Sequence, residues 1–196
     1  MPLSQPTSPR LLKHQRAIKI DAYAREDGLW DIEANISDIK TRDAHLASGM
    51  RPAGAPLHDL LLRLTIDTRF TVVAAEAVSD AVPYPGHCDT IGPDYRKLVG
   101  LNLVRGFRKE LNTVLGGILG CTHLTELAQI LPTAAIQAFA GEVYDPNQGA
   151  GAANGGKPFQ LDQCHALRTD GQAVAKYYPR WAPHVAPCHT SYETKK

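Results

Sequence analysis

The sequence predicts an α+β fold, an antiparallel sheet of about four strands packed against two or three C-terminal helices, with a short C-terminal hairpin. Three observations predict it. Apolar and polar residues alternate over residues 17–36, they alternate again over residues 58–77, and after residue 95 the apolar residues recur at three-and-four spacing.

The first alternation sets Ile18, Ile20, Ala22 and Ala24 against Lys19, Asp21 and Tyr23, the period of a half-buried strand. Glu26-Asp27-Gly28 turns the chain, and Trp30, Ile32, Ala34 and Ile36 then alternate with Asp31, Glu33, Asn35 and Ser37 to complete a hairpin. Residues 41–56 hold Gly49, Pro52, Gly54 and Pro56 and read as a loop. A third strand begins near His58 and carries Leu60, Leu62, Leu64 and Ile66; the break Asp67-Thr68-Arg69 leads into a fourth, Phe70 to Ala77. The loop from Val82 to Asp94 is stiffened by Pro83, Pro85 and Pro93 and carries His87 and Cys88. Leu98, Leu101, Val104, Phe107, Leu111 and Val114 then trace an amphipathic helix over residues 95–115, closed by Gly116-Gly117. A second helix follows Gly120-Cys121, with Thr122 as N-cap and Pro132 expected to kink or divide it. Residues 145–158 are glycine-rich and read as a flexible loop, and Asp170-Gly171 marks the turn of the closing hairpin over residues 159–178.

At 196 residues the chain has the size of one compact domain, able to bury roughly 70% of the surface its unfolded form exposes. We expect a disordered arm over residues 1–15, a single α+β domain over 16–180 and a flexible tail over 181–196. Lys and Arg total 21 against 20 Asp and Glu, so no net field draws the chain to nucleic acid or to an anionic membrane. The uncharged stretch Leu111–Leu124 is too short and too interrupted by glycine to span a bilayer. The first residues lack the basic start and apolar core of a secretory signal, which makes the cytoplasm the expected compartment. A small molecule is the partner these observations leave open; oligomeric state is not legible.

Four cysteines, Cys88, Cys121, Cys164 and Cys188, form no CxxC pair, and in a reduced compartment their uses are metal binding, thiol chemistry or burial. Cys121 and His123 lie where a glycine-rich turn enters a helix. Inside a helix, two residues apart, they would point about 200° away from each other, so they converge only if the helix starts after Cys121. Cys88 is the natural second ligand, and Cys164, His87 or Glu126 could complete the set. Thiolate and imidazole together suit zinc or an iron–sulfur centre better than magnesium or calcium. Spacings of 33 and 43 residues between Cys88, Cys121 and Cys164 match no zinc finger. The competing account is that a free cysteine packs as a small apolar residue, with Cys188 an incidental thiol in the polar tail.

His58-Asp59 is a second candidate, an imidazole beside a carboxylate being suited to general-base work. Neighbours on a strand face opposite ways, so the two form a dyad only from a loop, and His58 as a strand-end cap competes. Glu126, three residues after His123, shares its helix face and could orient it or bind metal. Asp38, Lys40, Arg42 and Asp43 read as a solvated strand end, and Arg63 with Asp67 as an ion pair. Dinucleotide, P-loop, GxSxG and HExxH motifs are absent from the sequence.

Trp30-Asp31-Ile32-Glu33, the run from His58 to Asp67, Gly120-Cys121-Thr122-His123-Leu124-x-Glu126-Leu127 and Cys164-His165-Ala166 together resemble a bacterial family of domains of unknown function, over about residues 15 to 180. The order of strands, loop cysteine, helix, second cysteine and helix is also similar to iron–sulfur assembly scaffold proteins, without their glycine–cysteine–glycine motif. Three functions remain open. The leading one is a metal-binding protein holding zinc or iron through Cys88, Cys121 and His123 with Cys164 or Glu126. The others are a metal-dependent lyase or hydrolase of small-molecule catabolism, with His58, Asp59 and His123 as its acid–base groups, and a metal-free binding module.

Overall fold

The computed structural model describes residues 3–145 and 156–183. Most of the glycine-rich 145–158 loop, most of the 181–196 tail, and Cys188 with it, lie outside the described residues. The chain divides into two compact units, Met1–Ala138 and Phe139–Lys196.

The first unit is built on the expected sheet. Strands β1 (His14–Ala24), β2 (Trp30–Lys40), β5 (Pro56–Ile66) and β6 (Val72–Ala81) form it in the order β1-β2-β5-β6, every neighbour antiparallel. The β1–β2 turn is drawn tight by the Gly28 N–H donating to the Arg25 carbonyl at 3.1 Å, with Gly28 at φ 80°, where a side chain would be strained. The β5–β6 turn depends on Asp67, whose carboxylate accepts from the backbone N–H groups of Arg69 (2.9 Å) and Thr71 (2.8 Å). That role, together with bonds to the Arg69 side chain, takes Asp67 away from Arg63, which pairs instead with Glu33 and Glu76. The 41–56 stretch is more ordered than a plain loop and holds a small antiparallel ribbon, β3 (Ala44–Leu46) with β4 (Gly49–Arg51).

Alternation decides which face is buried. Ile32, Ala34 and Ile36 of β2 and Leu60, Leu62, Leu64 and Ile66 of β5 are at most 2% exposed, each buried Leu or Ile side chain contributing about 1.5–3 kcal/mol. On the opposite face Asn35 donates to Asp59 (2.7 Å), and the Thr65 hydroxyl to Asp31 (2.7 Å). The core is completed by helices α1 (Phe107–Leu115) and α2 (Thr122–Phe139), through Phe107, Leu111, Leu115, Leu124, Leu127 and Leu131.

The helix expected over residues 95–115 is two elements. A 3₁₀ segment, Cys88–Leu98, is followed by a stretch of turns and isolated bridges and only then by α1. The stretch lies along the start of β6, the Val72 N–H donating to the Leu101 carbonyl and the Gly100 N–H to the Val72 carbonyl. Gly100 and Gly106 at positive φ break the helical path, and Val104, expected on the apolar face, is 43% exposed. Helix α2 runs through Pro132 as one element; burial of its Leu face outweighs the one backbone bond that proline removes.

In the second unit the closing hairpin is replaced by turns and a short helix, α3 (Gln172–Tyr177). Asp162 accounts for this. Its carboxylate gathers the Thr169 N–H (2.8 Å) and Lys157 Nζ (2.6 Å), folding the segment into a loop rather than pairing it as strands. Among the described residues no helix is long and apolar enough to cross a membrane.

Candidate metal centre

The inner-face series of β2 does not stop at Ile36. It continues to Asp38, which stands opposite Arg16 on β1 and His58 on β5, just before a register break between Asp38 and Ile39. The even-numbered alternation of β1 likewise ends in Arg16 and His14, and that of β5 begins with His58. At one end of the sheet, three strands therefore replace apolar side chains with ionisable ones on the same face. Asp38, expected to be solvated, is only 2% exposed.

A buried carboxylate must be compensated, and four groups surround this one. Arg16 grips it with both arms of its fork, Nε to Oδ1 at 2.9 Å and an Nη to Oδ2 at 2.8 Å. His14 Nε2 lies 3.0 Å from Oδ1, His58 Nδ1 3.1 Å from Oδ2, and His123 Nε2 3.7 Å from the same Oδ2. The His58 and His123 rings lie with centroids 3.8 Å apart and planes tilted by 34°. His123 comes from the first turn of α2. Glu126, one turn on, accepts from the other Nη of Arg16 at 2.8 Å, so it braces Arg16 and is not seated on the imidazole.

The electrostatics favour neutral imidazoles beside an ionised carboxylate. Burial pushes the Asp38 carboxyl up, but the Arg16 hydrogen bonds and charge, with His58 and His14, outweigh it and hold it below the usual value. Burial and then the neighbouring His123 push His58 down, against the pull of Asp38. Burial and then Arg16 do the same to His123, against Asp38 and Glu126. Neutral imidazole is the form that offers a lone pair to a metal.

Among the described residues the group of potential metal donors whose atoms all lie within 4.8 Å of one another is Asp38, His58 and His123. Two donors sharing one ion at ~2.1 Å each are about 3.0–3.4 Å apart at octahedral or tetrahedral angles. The observed 3.1 Å fits, and 3.7 Å needs a shift of a few tenths of an ångström.

Of the ligands expected from sequence, His123 belongs to this group and the others do not. Helix α2 does begin after Cys121, as convergence with His123 demands, and the Cys121 sulfur lies 4.0 Å from His123 Nδ1, the ring nitrogen other than the one facing Asp38. Cys88 opens the 3₁₀ segment and is half-buried. Cys88, Cys121, His58 and His123 border one cavity of about 390 Å³. Cys164 is exposed and belongs to the second unit. Asp59 faces the other side of the sheet from His58, where Asn35 holds it, and His58 sits within β5 as an internal cross-strand partner, not as a cap. The start of α2 is fixed by Tyr95, fully buried, whose hydroxyl accepts from the Cys121 N–H (3.1 Å) and lies 2.9 Å from the Thr125 hydroxyl.

A family model described as a protein of unknown function, DUF2889, matches residues 14–137. The match takes in all the residues of the cluster and stops short of Cys164. No curated protein and no solved structure matches the chain.

Proposed function

We propose that this chain, which belongs to the DUF2889 family of proteins of unknown function, binds one zinc or iron ion through Asp38, His58 and His123. The observation that carries the reading is the convergence of the His58 and His123 imidazoles on one oxygen of the buried Asp38 carboxylate, beside a cavity that both imidazoles line. Two histidines and a carboxylate are the donor set of many zinc and non-haem iron sites, and three protein ligands leave positions open for a small molecule. An ion there supplies Lewis acidity, which is the chemistry a lyase or hydrolase would draw on. Arg16, bonded to both carboxylate oxygens, and His14, beside Oδ1, orient Asp38 as outer-shell groups orient ligands elsewhere. Cys88 and Cys121 are wall groups of the cavity in this reading, with no share in the ion.

A second reading has its own support. Arg16 already neutralises Asp38, so the cluster could be a metal-free lock joining β1, β2, β5 and α2. Elemental analysis of full-length protein purified without added metal separates the two. Close to one zinc or iron per chain is expected in the wild type and in Cys121→Ala, with loss in His58→Gln and in His123→Gln while circular dichroism stays native. Absence of metal from the wild type even after incubation with Zn²⁺ or Fe²⁺ would leave the lock as the account.

A further inference from the structure

The cavity beside the cluster has a composition of its own. Besides three histidines, His58, His87 and His123, and the two thiols, it is lined by Leu60, Val82, Pro83, Tyr84 and Ile91, with Thr90 and Thr122. Leu60 and Val82 are buried, at 1% and 5% exposure. No Lys, Arg, Asp or Glu is among its lining residues. In the metal-free protein a phosphate or carboxylate entering it would lose hydration without meeting a Lys or Arg counter-charge in the lining.

Both walls are held in place. On one side Arg51 donates to the Val82 carbonyl at 2.9 Å, and the Ser48 hydroxyl donates to the Pro83 carbonyl, so the β3–β4 ribbon pins the strand end that supplies the apolar wall. On the other, the Tyr95 hydroxyl fixes Cys121, and Gly120 lies so close to the Leu115 carbonyl that an added Cβ would come within 2.4 Å of it. A pocket with fixed walls loses little entropy on binding.

We propose that this cavity binds a small, uncharged, mainly apolar molecule, an aromatic or alicyclic alcohol, phenol or aldehyde, with one oxygen turned toward His58 and His123. A cavity of about 150 Å³ accommodates benzene, so on that scale 390 Å³ takes about 15 non-hydrogen atoms. The oxygen's orientation rests on the metal reading; occupancy of the apolar part does not.

The test titrates full-length, chelator-treated protein with 2-naphthylmethanol and 2-naphthyl phosphate, followed by calorimetry and by ligand-observed NMR, and repeats the alcohol titration after adding Zn²⁺. One alcohol per chain is expected, the phosphate binding at least about tenfold more weakly. Ile91→Trp, which fills the cavity, and Thr90→Trp, at its exposed rim, each should weaken the alcohol about tenfold or more. Zn²⁺ should tighten it. Binding to the chelated protein that Ile91→Trp and Thr90→Trp abolish upholds the cavity whatever Zn²⁺ does, whereas indifference to Zn²⁺ counts against the metal centre. No binding of the alcohol, equal binding of the phosphate, or wild-type affinity in both tryptophan variants would overturn the proposal.

Discussion

Replacing Asp38 with Asn removes the charge at the middle of the cluster while keeping its size. Breaking a buried ion pair from one side costs about 3–5 kcal/mol. Arg16, however, is 37% exposed and keeps its bond to Glu126, so solvent screening lowers the expected loss at pH 7 to about 2 kcal/mol. The pH dependence identifies the source. Asp38 titrates below its ordinary value in the folded chain, so its contribution is present above the unfolded value of about 3.9 and is lost as pH falls through the folded one. His58 and His123 are also depressed. The unfolded chain therefore takes up their protons first, and stability declines as pH falls from about 6.5 toward their folded values. Urea unfolding with chelator present, from pH 8 to pH 3, should show wild type losing stability in two stages. The gap to Asp38→Asn should be near its full size at pH 7, start to shrink below about pH 4 and close as pH falls through the lower folded value of Asp38. A variant within about 0.5 kcal/mol of wild type at pH 7, or a gap that persists unchanged at pH 3, would refute the reasoning.

Tyr95→Phe strips the hydroxyl that accepts the Cys121 N–H and bonds Thr125, and should cost about 1–3 kcal/mol in thermal or urea unfolding. Burial pushes the Tyr95 hydroxyl up to about 12 and raises Tyr144 as well, so in an ultraviolet titration near pH 11 the folded protein should show fewer tyrosinates than the unfolded chain, and Tyr95→Phe should shrink that difference. Gly120→Ala drives a Cβ against the Leu115 carbonyl and should destabilise by about 1–3 kcal/mol, while Gly28→Ala, with open space around it but φ at 80°, should cost about 1 kcal/mol from backbone strain alone.

The sheet was legible because period-two alternation needs no knowledge of what covers it: Ile32, Ala34 and Ile36, and Leu60 through Ile66, declare their own inner face. The helix boundaries were harder. Leu98 and Phe107 lie in the core as their spacing suggested, but Gly100 and Gly106, both at positive φ, let the chain reach those places by turns beside the start of β6 and not by a continuous helix. At the site, Asp38 continues the buried parity of β2 and could have been found by carrying the alternation two residues further. A polar residue at a strand end ordinarily faces water, and only the pairing of β2 between β1 and β5 makes Arg16 and His58 its neighbours. His123 was legible from its place at a helix start. The cysteines drew attention as the scarcest reactive side chains, yet residue type does not dictate convergence. Asp59 shows the same limit from the other side, being adjacent to His58 in the chain and on the opposite face of the sheet.

X-ray absorption at the metal edge of zinc- or iron-loaded full-length protein reads the coordinating atoms themselves. The account predicts nitrogen and oxygen neighbours at ~2.0–2.2 Å, the outer-shell scattering of two imidazoles, and no sulfur. Sulfur at ~2.3 Å would put the ion on Cys88 or Cys121 instead, and a sample that takes up no metal would contradict the centre outright.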